Sequence, residues 1–410
     1  MSGRWVPGWL RHFWSDLKNS TDASLLGLLR VFGLLYGRID RSLPIDQAWR
    51  KAMAYRIPPW VGWKHSLGGI AYLLFMLQVA TGVLLAFYYR PSVEEAYHSI
   101  QYITSEVPFG WLLRDLHVWS ANLIVLAILA HMARVFFDGA YKPPRETSWI
   151  VGLVILLIVL TFGTTGYLLP WDQWAYWTTA EALHAVNSLP IVGGWLGSLF
   201  MGDAFVSGAT LSRFFAIHVI ILPWIAFGLL SLHFVVVRKH GTAPPPGKEH
   251  LERARSQGMP FYPRHLLRSV ATGAVVLALV ASLAAMFPRP IGDPATPFAI
   301  PDELVSTWIM ADVRMALLRY MGVWGLIAFF LLGLLLALLP LFDRKPERRL
   351  TRRPLVALLG ATFFLTFLAA WYEGHRIRSV SIDAAAEMEL LEERAVPAPP
   401  SRLEAEEEEP

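Results

Sequence analysis

Seven stretches of this chain are as long as a lipid bilayer is thick and carry no Lys, Arg, Asp or Glu. They lie at roughly 66–89, 116–133, 149–171, 214–237, 269–288, 320–342 and 354–372. A bilayer core takes about 20 mostly apolar residues in helical form. The second stretch is the shortest and extends past Arg134. Lipid offers backbone N–H and C=O groups no partner, so each stretch has to satisfy its own as a helix. The fold class that follows is an all-α membrane protein. Composition agrees: 55% of the 410 residues are hydrophobic, and mean hydropathy is +0.43.

The net charge of +4 matters less than where the charges fall. Lys and Arg crowd the segment before the first stretch and the second–third (Arg134, Lys142, Arg145), fourth–fifth (Arg238 to Arg268) and sixth–seventh (Arg344 to Arg353) connections. The other connections are richer in acids, among them Glu94, Glu95, Glu106, Asp172, Glu181, Asp203, Asp293 and Asp312. Positive loops stay in the cytoplasm. The expected topology has the N-terminus cytoplasmic and, after seven spans, the C-terminus on the opposite side. The chain has no cysteine, which excludes a disulfide, a Cys-ligated iron–sulfur cluster or a thioether-linked haem on this polypeptide.

The expected organisation is a cytoplasmic and interfacial segment (1–65), a four-span module (66–238), a proline-containing linker (239–264), a three-span module (265–375) and a disordered acidic tail (376–410). Within the first segment, 25–36 is apolar but short and reads as an interfacial helix. The tail holds ten acids from Asp383 to Glu409 against Arg394 and Arg402. Two connections are long: 172–212, rich in aromatics, and 289–319, which opens with prolines and ends in an expected amphipathic helix.

Histidine is costly inside a membrane. The second span carries His117 and His131, and the fourth carries His218 and His233. Spacings of fourteen and fifteen return to within about 40° and 60° of the same face, about 21–22 Å apart along the axis. These two spans run in the same direction, so their histidines match in two depth layers. Two layers of paired imidazoles suit two stacked bis-histidine haems. Gly68 and Gly82 in the first span, and Gly152 and Gly166 in the third, repeat the fourteen-residue spacing. A flat porphyrin needs such close backbone approach. Arg114, Arg134 and Arg213 stand at the span ends, where they suit haem propionates.

The stretches IPPWVGWKHSLGGIAYLLFMLQVATGVLLAFYYRPSVEEAYHSIQYITSEVPFGWLLRDLHVWSANLIVLAILAHMARVF, TFGTTGYLLPWDQWAYW and TLSRFFAIHVIILPWIAFGLLSLHFVVVRKHG resemble cytochrome b of the bc-type complexes. The likeness is greatest to the form in the complex of oxygenic photosynthesis, whose fourth span has the fifteen-residue gap. The three-span part is similar to that complex's separate small subunit, at GDPATPFAIP and the RRP before the seventh span. The resemblance covers about residues 44–372. It implies a quinol-oxidising, proton-translocating complex with two non-covalent b haems. His117 and His218 would ligate the non-cytoplasmic one, and His131 and His233 the cytoplasmic one. Quinol would be oxidised near Gly166–Trp177 and the fifth–sixth connection. Quinone would be reduced near Arg238, Lys239 and the N-terminal segment. Implied partners are a Rieske-type iron–sulfur protein, a c-type cytochrome or equivalent carrier, the quinone pool and a second copy of the chain. A bacterial inner membrane is the expected location.

The sequence departs from the family pattern in two places. Ser66 stands where the photosynthetic form carries a cysteine, so a covalent third haem is excluded. Alignment on Pro297, Phe298 and Pro301 puts Thr307 where the family has the glutamate that deprotonates quinol. Thr307 cannot act as a base near neutral pH. The expected substitutes are Asp302 and Glu303, ahead of Asp312. The missing glutamate also opens a second reading, in which the chain is a transmembrane electron wire without bifurcation to a Rieske protein.

Overall fold

The computed structural model describes residues 53–299 and 308–395, with residues 47, 50 and 301; side chains are described to residue 377. The expected interfacial helix at 25–36 and the residues Asp302, Glu303 and Thr307 lie outside the described residues. Among the described residues, seven helices are long and apolar enough to cross a membrane: Leu67–Ala86, Gly110–Phe137, Glu146–Tyr167, Gly208–His240, Phe261–Met286, Ile309–Phe342 and Pro354–Ile377. The chain is an all-α membrane protein. Its one described sheet is a two-stranded pairing of Arg56 with Pro260 and Ile57 with Met259. It belongs to a small unit made of Met1–Pro59 and Arg253–Arg268.

The larger unit comprises Trp60–Glu252 and Ser269–Pro410. The second span is its centre: half of its apolar window is buried, against 11% for the first span. Ile124, Val125, Ile128, Leu129 and Phe136 of that span share one core with Val280, Leu336, Leu339 and Phe367 of the fifth, sixth and seventh spans. The expected four-span and three-span modules are therefore packed as one core. The outward faces stay apolar, as at Trp224, Phe227, Leu355 and Leu365, which suits lipid contact.

Three elements differ from expectation. The amphipathic helix expected before the sixth span is joined to it in Ile309–Phe342, with a break at Gly322 (φ 60°, ψ −160°) that an L side chain would resist. The seventh helix continues to Ala395, whereas the tail was expected to be disordered from 376. Residues 384–394 (AAAEMELLEER) are strong helix formers, and this local propensity outweighs their charge. The fourth span changes pitch: Ala216–Ile221 is a π-helix, in which the Leu222 N–H bonds the Ile217 carbonyl. Pro223 follows directly and cannot donate a backbone hydrogen bond.

Both ends of the bundle are tied by polar links between connections. At one end, buried Lys142 donates to an Asp343 oxygen (2.7 Å) and to the Lys345 carbonyl (2.6 Å). Tyr141 and Arg353 bond the other Asp343 oxygen. Burial alone would raise the Asp343 pKa, but the hydrogen bonds from Lys142 and Tyr141 hold it below the usual range. Arg348 adds bonds to the Gly139 and Asp138 carbonyls. At the other end, Asp172 caps the helix Gln173–Asn187 through the Ala175 N–H (2.8 Å) and also accepts from the Gly292 N–H (3.1 Å). Gln173 bonds the Thr296 N–H and the Ala299 carbonyl.

Candidate functional site

The second and fourth spans bring His117 and His218 opposite each other, with ring centroids 6.4 Å apart and ring planes inclined at 67°. An imidazole nitrogen lies about 1.1 Å from its ring centre and a metal–imidazole bond is about 2.0 Å, so two rings ligating one ion from opposite sides have centres about 6.2 Å apart. The observed spacing matches that. Hydrogen bonds also fix which nitrogen is free. The His218 Nδ1 lies 3.0 Å from the Phe162 carbonyl, which can only accept, so Nδ1 carries the proton. The Thr165 Oγ1, 3.2 Å away, donates its own proton to the Thr161 carbonyl at 2.7 Å. The Thr81 Oγ1 likewise donates to the Leu77 carbonyl (2.7 Å), which leaves it to accept from the His117 Nδ1 at 2.8 Å. Both Nε2 atoms keep their lone pairs.

Each of the four glycines backs one of the four histidines. A Cβ added to Gly82 would meet the His117 Cε1 at 3.2 Å, and one on Gly166 would meet the His218 Cε1 at 2.5 Å. In the second layer, Gly68 faces His131 (3.1 Å) and Gly152 faces His233 (3.6 Å). The Nδ1 atoms of His131 and His233 are buried and make no hydrogen bond among the described residues. The π-helix accounts for the unequal spacings: it takes up one extra residue, so fifteen positions in the fourth span turn the chain about as far as fourteen in the second.

Around His117 and His218 lies a cavity of about 470 Å³ with a mainly apolar lining that includes Gly82, Gly166, Arg114 and Trp308. Trp308 packs into the space left by Gly163, where a Cβ would overlap its ring. Asp172 and Tyr167 also reach the cavity. Arg114 is buried and donates to the Arg289 (2.6 Å) and Pro290 (3.2 Å) carbonyls. Arg213 is exposed and is spent on the Ser198 and Leu199 carbonyls, away from the cavity. The Arg134 Nε is buried and makes no hydrogen bond among the described residues, one turn beyond His131. Arg238 is exposed at the end of the fourth span. Asp312 is 2% exposed and does not line the cavity.

The sequence reading missed Thr81, Thr165 and the Trp308–Gly163 contact. Its one available signal was the repeated Thr-Gly pair, Thr81–Gly82 and Thr165–Gly166, in register with the histidines. Two neutral imidazoles with no third ligand among the described residues suit an ion that brings its own planar ligand, which is what a haem iron is. The fold and site together define an all-α membrane protein whose second and fourth spans present paired histidines, an arrangement that suits haem.

Comparison with known proteins points the same way. The family model described as Cytochrome b/b6/petB matches residues 52–241, and the one described as Cytochrome b(C-terminal)/b6/petD matches residues 294–388. Cytochrome b6 of Synechococcus sp. (strain JA-3-3Ab) is 40% identical over 211 residues, 52% of this chain and 98% of that protein. Cytochrome b6 of Acaryochloris marina (strain MBIC 11017) is 44% identical over 189 residues, 46% of this chain and 88% of that protein. A solved structure of a hyperthermophilic respiratory Complex III contains a chain with TM-score 0.73 and 29% identity, covering 85% of this chain and 95% of that one. The chain belongs to the cytochrome b/b6 family, whose members are haem-binding membrane proteins of electron transport.

Proposed function

We propose that this chain is the dihaem subunit of a quinol-oxidising bc-type complex, working with an iron–sulfur protein and a cytochrome-type carrier and coupled to proton translocation. The observation that carries the reading is the His117–His218 pair: rings at bis-ligand spacing, each with its Nδ1 committed and its Nε2 free, beside an apolar cavity. His131 and His233 form the second ligand pair. Bound there, b haems supply one-electron transfer across the bilayer. The chain's own part is to hold the imidazoles neutral and oriented, and to admit a lipid-soluble quinol beside them.

Quinol enters the cavity along its apolar lining, next to Trp308 and Tyr167. Arg114 and the links from Asp172 and Gln173 to the Gly292–Ala299 segment hold the roof. Thr307 in the family's glutamate position leaves proton acceptance to Asp302 or Glu303. Charge bias supports a cytoplasmic N-terminus, with the cavity on the opposite side. Likeness of the C-terminal part to the photosynthetic small subunit supports a fused arrangement, in a complex containing two copies of the chain.

The Thr307 substitution specifically favours a second reading: a dihaem wire between the quinone pool and another redox module. The deciding experiment purifies the native complex, identifies its subunits, and measures haem content and quinol:cytochrome c activity. Two b haems per chain, a co-purifying Rieske protein and turnover sensitive to replacement of Asp302 or Glu303 support the main reading. Two haems with no Rieske subunit support the wire. One haem per chain, or none, rejects both.

A further inference from the structure

The two histidine layers have the same composition in ligands and glycines, but not in what stands behind the rings. In one layer, the Thr81 and Thr165 hydroxyls lie 2.8 and 3.2 Å from the Nδ1 atoms of His117 and His218. Each hydroxyl has one proton and gives it to the carbonyl four residues earlier, Leu77 and Thr161, both at 2.7 Å. A hydroxyl whose proton is committed presents only lone pairs to the ring. The Phe162 carbonyl adds a second acceptor at His218. In the other layer the residues preceding Gly68 and Gly152 are Leu67 and Val151, which have no hydroxyl. The Nδ1 atoms of His131 and His233 correspondingly make no hydrogen bond among the described residues.

We infer that Thr81 and Thr165 are positioning residues that set the reduction potential of the haem held by His117 and His218. An acceptor on Nδ1–H draws the proton away from the ring and makes Nε2 a stronger donor to the metal. A stronger imidazole donor favours the oxidised ion over the reduced one and lowers the potential. With acceptors behind both ligands of one layer and neither of the other, the chain itself lowers the first haem relative to the second. Both threonines are buried, at 3% and 2% exposure, so water does not compete for these bonds. Their geometry is sequence-encoded: threonine in a helix bonds back to its i−4 carbonyl, which frees its lone pairs for the neighbouring helix.

The inference rests on the proposed haem-holding role of the four histidines. The test is a redox titration of the purified complex, resolving the two b haems by their absorption bands. Thr81→Val and Thr165→Val keep the side-chain shape and remove the hydroxyl. Both are expected to raise the potential of the His117/His218 haem and leave the other unmoved, Thr165→Val by less because the Phe162 carbonyl still accepts from the His218 Nδ1 at 3.0 Å, and the double variant is expected to raise it furthest. Expected size for the double variant is about a tenfold change in the oxidised-to-reduced ratio at fixed ambient potential, or about 59 mV. Thr81→Ser and Thr165→Ser retain the hydroxyl and are expected to titrate as wild type. Unchanged potentials in haem-replete valine variants overturn the inference, as do serine variants that shift as far as the valine ones. If the valine variants lose haem, the converse variants decide. Leu67→Thr with Val151→Thr supplies the missing acceptors and should lower the His131/His233 haem; no shift there overturns the inference. A wild-type complex without two bis-histidine b haems would instead reject the haem-holding role itself.

Discussion

The two histidine layers use the same parts to different tolerances. Behind His117 and His218, every Nδ1 has an acceptor and the glycines press within 3.2 and 2.5 Å of the rings. Behind His131 and His233, Nδ1 has no acceptor among the described residues, and of the two glycine contacts Gly68 stays at 3.1 Å while Gly152 relaxes to 3.6 Å. The first layer adjoins the cavity and is held ring by ring. The second lies toward the end locked by Lys142, Asp343 and Arg353, so its surroundings are fixed by ionic links between connections rather than by bonds to the ligands. Orientation is thus built in at the rings in the layer beside the cavity, and at the framework in the other layer.

The largest effect that could break this comparison is loss of a whole layer. His131→Ala or His233→Ala should remove one haem per chain and leave the His117/His218 haem spectrally intact, while His117→Ala or His218→Ala should do the reverse. Pyridine haemochrome content should fall by about half in each case. Loss of both haems from one substitution would show that the layers are not independent.

Next in size is the framework behind the second layer. Lys142 is 3% exposed, and its side chain is ion-paired to Asp343 at 2.7 Å. Removing Lys142 leaves one Asp343 oxygen without its cation while Arg353 still pairs with the other at 3.2 Å, so the cost falls below the about 3–5 kcal/mol typical of breaking an isolated buried pair. Lys142→Ala should therefore lower the thermal midpoint of the purified protein and release the His131/His233 haem first on heating. Loss of the other haem first would contradict the assignment of this network to the second layer.

Gly166→Ala and Gly152→Ala sharpen the contrast at the rings. The first places a Cβ 2.5 Å from His218 and should cost about 1–3 kcal/mol as overpacking, with a perturbed haem spectrum. The second makes ordinary contact at 3.6 Å and should be neutral or slightly stabilising, since alanine exceeds glycine in helix propensity by about 1 kcal/mol. Equal effects, read from haem retention and the thermal midpoint, would erase the difference in tolerance.

The smallest effect is a pH dependence at His65, just before the first span and three residues from Gly68. Burial, and then the neighbouring Arg134 and Lys64 cations, push its pKa down from 6.5 to about 4. Between those values the unfolded chain binds a proton that the folded chain does not. Stability therefore falls as pH drops from about 6.5 toward 4, and the contribution is fully present above that window. His65→Asn should flatten this part of the pH–stability curve; an unchanged curve would place the acid sensitivity elsewhere.

Spans, facing histidine pairs and glycines were legible in the sequence because each follows from a periodicity the chain carries locally. Charge-free runs define helices, and a fourteen-residue repeat returns a residue to the same face whatever surrounds it. Even the extra residue in the fourth span was visible as a spacing. Its resolution as a π-turn over Ala216–Ile221 was not, because pitch depends on Pro223 and on what the neighbouring helices allow. The continuous helix to Ala395 was misread because charge was weighed above the local propensity of 384–394.

What only the tertiary structure decided is which residues meet. Arg114 and Arg213 look alike in sequence, each three to five residues before a ligand histidine. One closes the roof of the cavity, and the other is spent on the Ser198 and Leu199 carbonyls of the helix Gly193–Met201. The threonines before Gly82 and Gly166 gain meaning only once helix packing brings imidazoles within hydrogen-bonding distance. Helical periodicity fixes directions along one chain segment. Contacts between segments depend on packing angles and loop routes, which no local pattern encodes. The sequence by itself therefore determined that two pairs of histidines would face inward at two depths, and the packed bundle decided which of those rings would be held by hydrogen bonds.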